Sequence, residues 1–188
     1  VHGQPNMYFL FMAMAVKMLR TNGEFVFITP RSWTSGTYFK SFRSYFMDSM
    51  DIQRVHLFES RNSVFKGKEG HSDDILQETM ITYGKKSKSQ SRNIIIAISQ
   101  NAQDLGKVKE IQVESGNCLP EGKEHYFVLP SDEEDLKVLN YMKKMPNTVE
   151  EAGFRFKTGQ VVEFRNKEYI AWEKKESTIP LLHSCNVL

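Results

Sequence analysis

The sequence has little net charge, few cysteines and no long apolar run, and each absence excludes a class of protein. Its 25 basic and 23 acidic residues leave a formal net charge of +2, so bulk charge indicates neither a nucleic-acid nor a membrane partner. The two cysteines, Cys118 and Cys185, lack metal-ligand spacing, and we interpret them as unpaired thiols in a reducing compartment. The apolar run Met7–Val16 is shorter than the about 20 residues that span a bilayer and lacks signal-peptide flanks. We therefore expect a cytoplasmic protein with no membrane partner.

The motifs of complete catalytic sites are also absent. The sequence contains no glycine-rich phosphate loop, no pair of histidines four residues apart and no Gly-x-Ser-x-Gly elbow. None of its 5 histidines has a cysteine or an acid at ligand spacing more often than chance would give, so we expect no metal site. Judged from these residues alone, the chain carries no complete catalytic constellation.

What the sequence does contain is organised around the stretch Gly23–Gly36. A helix over Met7–Arg20, apolar on more than one face, ends at Asn22 and Gly23. The following run, Phe25–Thr29, does not alternate between polar and apolar residues, which predicts a strand covered on both faces. Because ligands of open α/β sheets gather beyond the carboxyl ends of strands, the loop after Thr29 is the first place to expect a site.

The next helix begins at Ser35 or Thr37, and its pattern places Lys40 and Arg43 on the outer face. Further strands are predicted from short runs of apolar and β-branched residues. These runs are Ile52–Phe58, Thr79–Tyr83, Asn93–Ser99, Val108–Val113 and Tyr126–Leu129.

Beyond residue 130 the sequence predicts one more helix and then β-structure. Ser131 and Glu134 have the spacing of a capping box, which opens a helix that runs to about Met145. Phe154–Phe164 reads as β-structure around a glycine turn. We place a domain boundary near residue 105, where regular α/β alternation gives way to irregular β-structure.

Six segments, in the same order along the chain, resemble the adenine-specific DNA methyltransferases of type II restriction–modification systems. The first runs from Asn6 into Gly23, and the last from Thr158 through Leu182. The segments between them are Phe25–Trp33, Gly36–Arg43, His56–Arg61 with Phe65, and Leu76–Ile81. Six ordered matches are much more specific than any one of them.

The resemblance implies an α/β chain in two parts. Residues 1–105 resemble the C-terminal half of a Rossmann-like methyltransferase sheet, holding its last three strands with the third inserted antiparallel. Residues 106–188 resemble a linker and the start of a partial, β-rich target-recognition region. The family's Asn-Pro-Pro-Tyr motif and its cofactor-binding glycine loop are absent from this sequence. We therefore expect a fragment, with coding sequence upstream of Val1.

The activity that the resemblance implies is transfer of a methyl group from S-adenosylmethionine to adenine N6 in double-stranded DNA. The target base would be flipped into a pocket, where the matching residues are Phe65, Thr29, Pro30 and Trp33. The basic and amide residues below would contact DNA, largely its phosphates. These residues are Arg31, Arg61, Lys66, Lys68, Arg155, Lys157 and Gln160. No catalytic residue of the family lies in the chain, so we expect it alone to be inactive and not to bind S-adenosylmethionine tightly.

Two other interpretations stay open at this point. The chain could be a non-catalytic DNA-specificity or scaffold module, or a degenerate remnant of an enzyme. The strand Phe25–Thr29 would be central in an intact sheet. In a truncated chain one of its edges would be unpaired, and we therefore also predict self-association through that edge.

Overall fold

A computed structural model describes residues 6–60, 78–106, 108–155, 165–171 and 173–181. The chain divides into two compact units, residues 1–144 and residues 145–188. The helices described in the first unit are α1 Met7–Met18, α2 Lys40–Ser49, α3 Ser115–Cys118 and α4 Glu133–Met142. Its strands are β1 Glu24–Pro30, β2 Met50–Phe58, β3 Thr79–Lys86, β4 Asn93–Ser99 and β5 Lys109–Glu114. Short 3-10 turns cover Arg31–Thr34, Thr37–Phe39 and Ala102–Asp104.

The five strands form one mixed sheet in the order β1-β3-β2-β4-β5. Strand β3 is antiparallel to both of its neighbours, β1 and β2. Strands β2 and β4 are parallel, and β5 returns antiparallel to β4. The predicted α/β class is confirmed, as is the antiparallel insertion of the third strand.

Aromatic side chains fill the space between the helices and one face of the sheet. Phe9 of α1 contacts Phe42 of α2 at a ring-centroid distance of 5.5 Å. Phe46 of α2 contacts Phe25 of β1 at 5.4 Å and Trp33 at 5.5 Å, both edge to face. These separations lie in the favourable range for aromatic pairs. The core therefore fixes α1 and α2 against the strand that carries the candidate site.

The expectation that β1 is covered on both faces is wrong for the described residues. Val26 is 64% exposed and Ile28 is 47% exposed, whereas Phe25 and Thr29 are buried. Successive side chains of a strand point to opposite faces, and the aromatic core covers only one of them. Among the described strands, β1 also lies at one edge of the sheet.

The placement of Arg43 on the outer face of α2 is also wrong. Arg43 is completely buried, while Tyr38 and Tyr45 are each 41% exposed. Main-chain carbonyl groups of the loop before α2 and of residues 124–125 surround the guanidinium and accept its hydrogen bonds. A charged residue in a helical pattern usually lies in solvent, but here distant backbone supplies the acceptors that burial requires.

The predicted strand Tyr126–Leu129 is not a strand. The segment is not part of the sheet: its hydrogen bonds run from Phe127 N to Thr34 O and from Val128 N to Cys118 O. It lies across irregular backbone and pairs with no neighbouring strand.

Helix α4 begins two residues after Ser131, and its cap differs from the predicted one. The N-cap is Asp132, whose carboxylate accepts from Asp135 N at 2.8 Å. Ser131 donates from both its amide nitrogen and its hydroxyl to the Asp135 carboxylate. The predicted box of Ser131 and Glu134 is therefore displaced by one residue, and the helix ends at Met142.

Strand β5 continues the sheet beyond residue 105, and the first compact unit extends to residue 144. The division of functions between residues 1–105 and 106–188 stays a prediction. In the second unit, Thr148 and Glu151 form a capped turn, and Lys167–Tyr169 forms a 3-10 turn. Most of the β-structure predicted for residues 154–164 lies outside the described residues. In the described part of the chain, no helix has the length and apolarity needed to cross a membrane.

Candidate functional site

A cavity of about 800 Å³ lies at the carboxyl end of β1. Four parts of the first unit line it: the loop Pro30–Ser35, Glu78 before β3, the extended segment 126–130, and one face of α4. Its volume falls within the range of small-molecule sites in proteins. The cavity thus occupies the position at which the sequence predicts a site.

Hydrogen bonds and aromatic packing hold the loop Pro30–Ser35, which forms one wall of the cavity. Arg31 N donates to Glu78 O at 2.7 Å, which ties the end of β1 to the chain entering β3. Trp33 is fully buried, and its Nε1 donates to Thr29 Oγ1 at 3.2 Å. The indole also packs on Phe127 of the opposite wall, at a ring-centroid distance of 5.8 Å. Trp33 therefore supports the wall rather than forming its surface.

The cavity combines charged groups with an apolar surface. Arg31, Glu78 and Asp135 lie in its lining, and α4 adds Val138 and Leu139. The hydrogen bonds from the Ser131 hydroxyl and amide hold the pKa of Asp135 below its usual value, and the charge of Arg31 acts in the same direction. Asp135 is consequently a carboxylate at neutral pH. Such a lining offers a ligand both hydrogen-bonding groups and apolar contacts.

Two loops of the cavity wall meet at Arg43. The sequence pattern did not predict this, because it placed Arg43 on the outer face of α2. Its Nη1 donates to Trp33 O at 3.0 Å and to Gly36 O at 2.6 Å. Its Nη2 donates to Glu124 O at 2.8 Å, and its Nε donates to His125 O at 3.0 Å. A run of phenylalanines with one arginine on a helix gives no sign of such acceptors, so no sequence signal could have found this role.

The predicted site residues fall into four groups. Pro30 and Arg31 line the cavity, whereas Thr29 and Trp33 are buried beneath it. Arg155 is exposed and belongs to the second unit. The remaining residues lie outside the described part of the chain: Arg61, Phe65, Lys66, Lys68, Lys157 and Gln160. The roles assigned to all of these residues stay predictions.

Outside the cavity, two polar side chains, His56 and Ser99, are in contact at the carboxyl ends of the parallel strands β2 and β4. His56 Nε2 is 2.8 Å from Ser99 Oγ, and that hydroxyl donates to Asn101 O at 3.1 Å. With the serine hydroxyl donating to Asn101 O, the histidine donates to the serine and does not accept its proton as a general base. Burial, together with the charge of Arg54, lowers the pKa of His56 and favours the neutral ring. The pair is a buried hydrogen-bonded contact and does not activate a nucleophile.

Among the described residues, no group of histidine, cysteine and acidic side chains is arranged to hold a metal ion. Cys118 is a free thiol that is completely buried. Burial raises its pKa to about 12, so it is protonated and unreactive at neutral pH.

Sequence comparisons identify the chain as a relative of the methyltransferases of restriction–modification systems. Residues 1–65 match the family described as Eco57I restriction-modification methylase. The chain is 30% identical over 178 residues to the type II methyltransferase M.PstI of Providencia stuartii. It is 31% identical over 182 residues to the type II methyltransferase M.BsuBI of Bacillus subtilis. The resemblance to restriction–modification methyltransferases predicted from the sequence is confirmed.

These alignments cover 94% and 95% of the chain but 34% of each relative. The chain therefore spans about a third of the length of the curated relatives it matches.

Among solved structures, the chain is similar to the M protein of the type I restriction enzyme EcoKI, with a TM-score of 0.46 and 8% identity. That match covers 90% of this chain and 48% of the M protein. The type IIG restriction endonuclease BpuSI matches with a TM-score of 0.44 and 13% identity, over 61% of this chain and 15% of the endonuclease.

Proposed function

We propose that the chain is part of a DNA methyltransferase that modifies adenine at N6 in a type II restriction–modification system. The observation that carries this proposal is the identity of about 30% to two type II methyltransferases along nearly the whole chain. The cavity at the end of β1 supports it, because a site of this kind lies beyond the carboxyl end of a strand in open α/β sheets.

In this proposal the cavity forms part of the pocket for a flipped adenine. A base inside a duplex cannot be methylated at its exocyclic amino group until it leaves the stack. The apolar side of the cavity, with Val138 and Leu139, would contact the ring, and Pro30 would close the pocket at the strand end. Phe65 would stack on the base, and Thr29 and Trp33 would hold the wall in place.

The basic residues named above would contact double-stranded DNA. Phosphate contacts fix the register of a protein on DNA without reading its sequence. Two observations support this proposal: Arg31 lies at the cavity lining, and Arg155 is exposed.

S-adenosylmethionine would supply the methyl group, but the described residues do not form a site that fits it. Cofactor loops of this kind depend on glycines that leave space beside the ligand. Here a Cβ added at Gly36 would lie 2.8 Å from Ser32 O, and one at Gly84 would lie 2.3 Å from Asp51 O. Both glycines are packed against protein, and the family's cofactor-binding glycine loop is absent from this sequence, so we propose that residues outside this chain bind the cofactor.

The test is methylation of adenine-containing DNA by the polypeptide encoded by the whole reading frame. We expect N6-methyladenine in the digested DNA by mass spectrometry, and no product from the present chain alone. Phe65→Ala should lower the single-turnover rate by about tenfold, since base–aromatic stacking contributes about 1–3 kcal/mol. Phe65→Trp keeps an aromatic ring and should retain most of the natural rate. Methylcytosine as the product, or no methylated base at all, would contradict the proposal.

A second candidate is a DNA-specificity or scaffold module without catalysis. The two candidates differ in one feature of the whole reading frame: an Asn-Pro-Pro-Tyr tetrapeptide there would favour the enzyme, and a reading frame without it would favour this module. DNA binding by the whole reading frame without methyl transfer would support this candidate over the enzyme.

We also propose that the isolated chain self-associates through the outer edge of β1. The sheet order leaves this edge without a neighbour among the described strands, and Val26 and Ile28 are exposed beside it. An apolar strand edge of this kind is a template for pairing with another chain. Helix α1 adds exposed apolar side chains, namely Met7, Leu10, Phe11, Met14 and Met18.

A further inference from the structure

Arg43 is a buried cation whose hydrogen-bond acceptors in the described residues are all main-chain carbonyl groups, with the Glu124 carboxylate as a nearby opposite charge. Its side chain has no solvent exposure, and its guanidinium donates five hydrogen bonds to four main-chain carbonyl groups. A buried charge is costly unless its donors are satisfied. The guanidinium therefore holds its acceptors in place, because movement of either loop would leave buried donors unpaired.

The four carbonyl groups come from two segments far apart in sequence. Trp33 lies within the loop that lines the cavity and Gly36 directly follows it, while Glu124 and His125 lead directly into the opposite wall. The Tyr126 ring lies beneath the guanidinium, with Cζ 5.3 Å from its centroid. Next to these contacts, Phe127 N donates to Thr34 O at 2.9 Å.

The position of α4 depends on the same contact between residues 33–36 and residues 124–127, which we call the junction. The segment 126–130 runs from the junction to the start of α4, which contributes Asp135, Val138 and Leu139 to the cavity. Helix α4 has no fully buried side chain of its own. It is attached through partly buried Leu136, which packs on the core, through the segment before it, and through hydrogen bonds from Lys143 to Gly116 O and the Asn117 side chain.

We propose that Arg43 is a positioning residue that sets the separation of the two cavity walls. Its planar guanidinium directs donors to both segments at once, whereas a lysine ammonium at the end of a flexible stem cannot satisfy both. The residue does not line the cavity and acts through the backbone of residues 33–36 and 124–127. Its relevance to base binding rests on the proposed function, but its action on the walls does not.

The test is amide hydrogen exchange on the full chain, comparing the natural protein with Arg43→Lys. We expect about tenfold faster exchange at residues 33–37 and 124–130, with little change in β3 and β4, because only the junction loses hydrogen bonds. Lys40→Met is the matched control: it removes the neighbouring Lys40–Glu124 ion pair, 2.6 Å long and partly exposed, and should leave both walls protected. Unchanged protection of the walls in Arg43→Lys, or equal acceleration throughout the sheet, would overturn the proposal.

Should Arg43→Lys fail to fold, Tyr126→Leu provides the same readout while leaving the arginine in place. Faster exchange at the same two segments supports the proposal, and unchanged exchange there counts against it.

A second measurement separates this inference from the proposed function. In the whole reading frame, Arg43→Lys should lower the single-turnover methylation rate by about tenfold or more, since misplacement of a site wall by about 1 Å has effects of this size, and Lys40→Met should not. If the walls loosen but the natural enzyme shows no methyl transfer, the proposed function fails and the positioning role holds. If the natural enzyme is active and Arg43→Lys has both normal protection and normal rate, the positioning role fails alone.

Discussion

At the scale of single residues, Asp51 shows how a buried acid is kept charged. Its carboxylate accepts from Ser91 N and Ser91 Oγ, each at 2.7 Å, and from Gln53 Nε2 at 2.9 Å. Burial by itself raises the pKa of Asp51, but these hydrogen bonds, together with the charge of Lys85, outweigh it and leave the pKa below its usual value. The carboxylate thereby joins the start of β2 to the turn before β4.

Asp51→Asn should destabilise the chain by about 2 kcal/mol at pH 7, the typical contribution of hydrogen bonds to a charged group. The pKa of Asp51 is lower in the folded than in the unfolded chain. Its contribution is therefore complete above the usual aspartate pKa of about 3.9 and is lost as the pH falls through the lower folded value. Urea unfolding at several pH values measures the difference between the variant and the natural chain. The exposed Glu121→Gln serves as control, and a difference that persists unchanged in acid would contradict this account.

Arg43 and Trp33 show what the sequence reveals about a single residue and what it does not. The pattern around β1 predicted the loop that carries Trp33, and a cavity is found beside that loop. It could not predict that Arg43 is buried, because its acceptors at residues 124 and 125 lie some 80 positions further along the chain. A local pattern registers charge and spacing, whereas burial of a charge depends on backbone brought in from elsewhere.

At the scale of elements, β3 is packed most tightly at Gly84. This residue lies opposite Phe25 on β1 and Ile52 on β2. A Cβ at this position would lie 2.3 Å from Asp51 O and 2.9 Å from Phe25 Cε1. The register of β2 against β3 shifts immediately beyond this point, between Ile52 and Arg54. The missing side chain allows the neighbouring backbone to approach.

Gly84→Ala should destabilise the chain by about 2–3 kcal/mol, because the backbone of Asp51 must move to admit the methyl group. Gly116→Ala in α3 is the matched control, since a Cβ there would meet nothing within 4 Å and alanine favours a helix. Urea unfolding followed by circular dichroism compares the two variants. Equal free energies of unfolding for Gly84→Ala and the natural chain would show that the strands move apart without loss of stability, and would contradict this prediction.

The strands were more predictable than the caps and the extended segments. Apolar and β-branched runs predicted β4 at Asn93–Ser99, which agrees with the structure at both ends. The same reasoning predicted a strand at Tyr126–Leu129, but this segment crosses loops instead of pairing with a strand. The residue pattern indicates that a segment is extended and half-buried, but it does not indicate which element lies beside that segment.

At the scale of the whole molecule, the outer edge of β1 has no strand neighbour among the described residues. We expect the isolated chain to sediment as a dimer or larger species at high concentration. Val26→Lys should shift it to monomer, because a charge on the exposed face of an edge strand opposes pairing. Val138→Lys is the matched control, the same substitution at a 53% exposed valine of α4.

Analytical ultracentrifugation over a range of concentrations distinguishes the outcomes. A natural chain that is monomeric throughout would refute self-association, and equal effects of the two substitutions would show that another surface is responsible.

Ordered matches along the chain predicted its relationship to restriction–modification methyltransferases, which no single segment establishes. The pattern of β1 could not show which of its faces is covered, because an apolar run looks the same whether helices lie on one side or both. Val26 and Ile28 show the difference only in the folded chain.

The insertion of β3 between β1 and β2 also governs the order in which the chain can fold during synthesis. Glu24 of β1 pairs with Lys85, and Met50 of β2 pairs with Lys86, so both earlier strands leave the ribosome before the strand that joins them. Until residues 79–86 emerge, neither has its β3 partner, and each presents an unpaired edge to other nascent chains. Sheet assembly must wait for distant segments to meet, which is slow compared with local folding. The nascent chain is therefore most vulnerable to aggregation in the interval between the synthesis of β2 and that of β3.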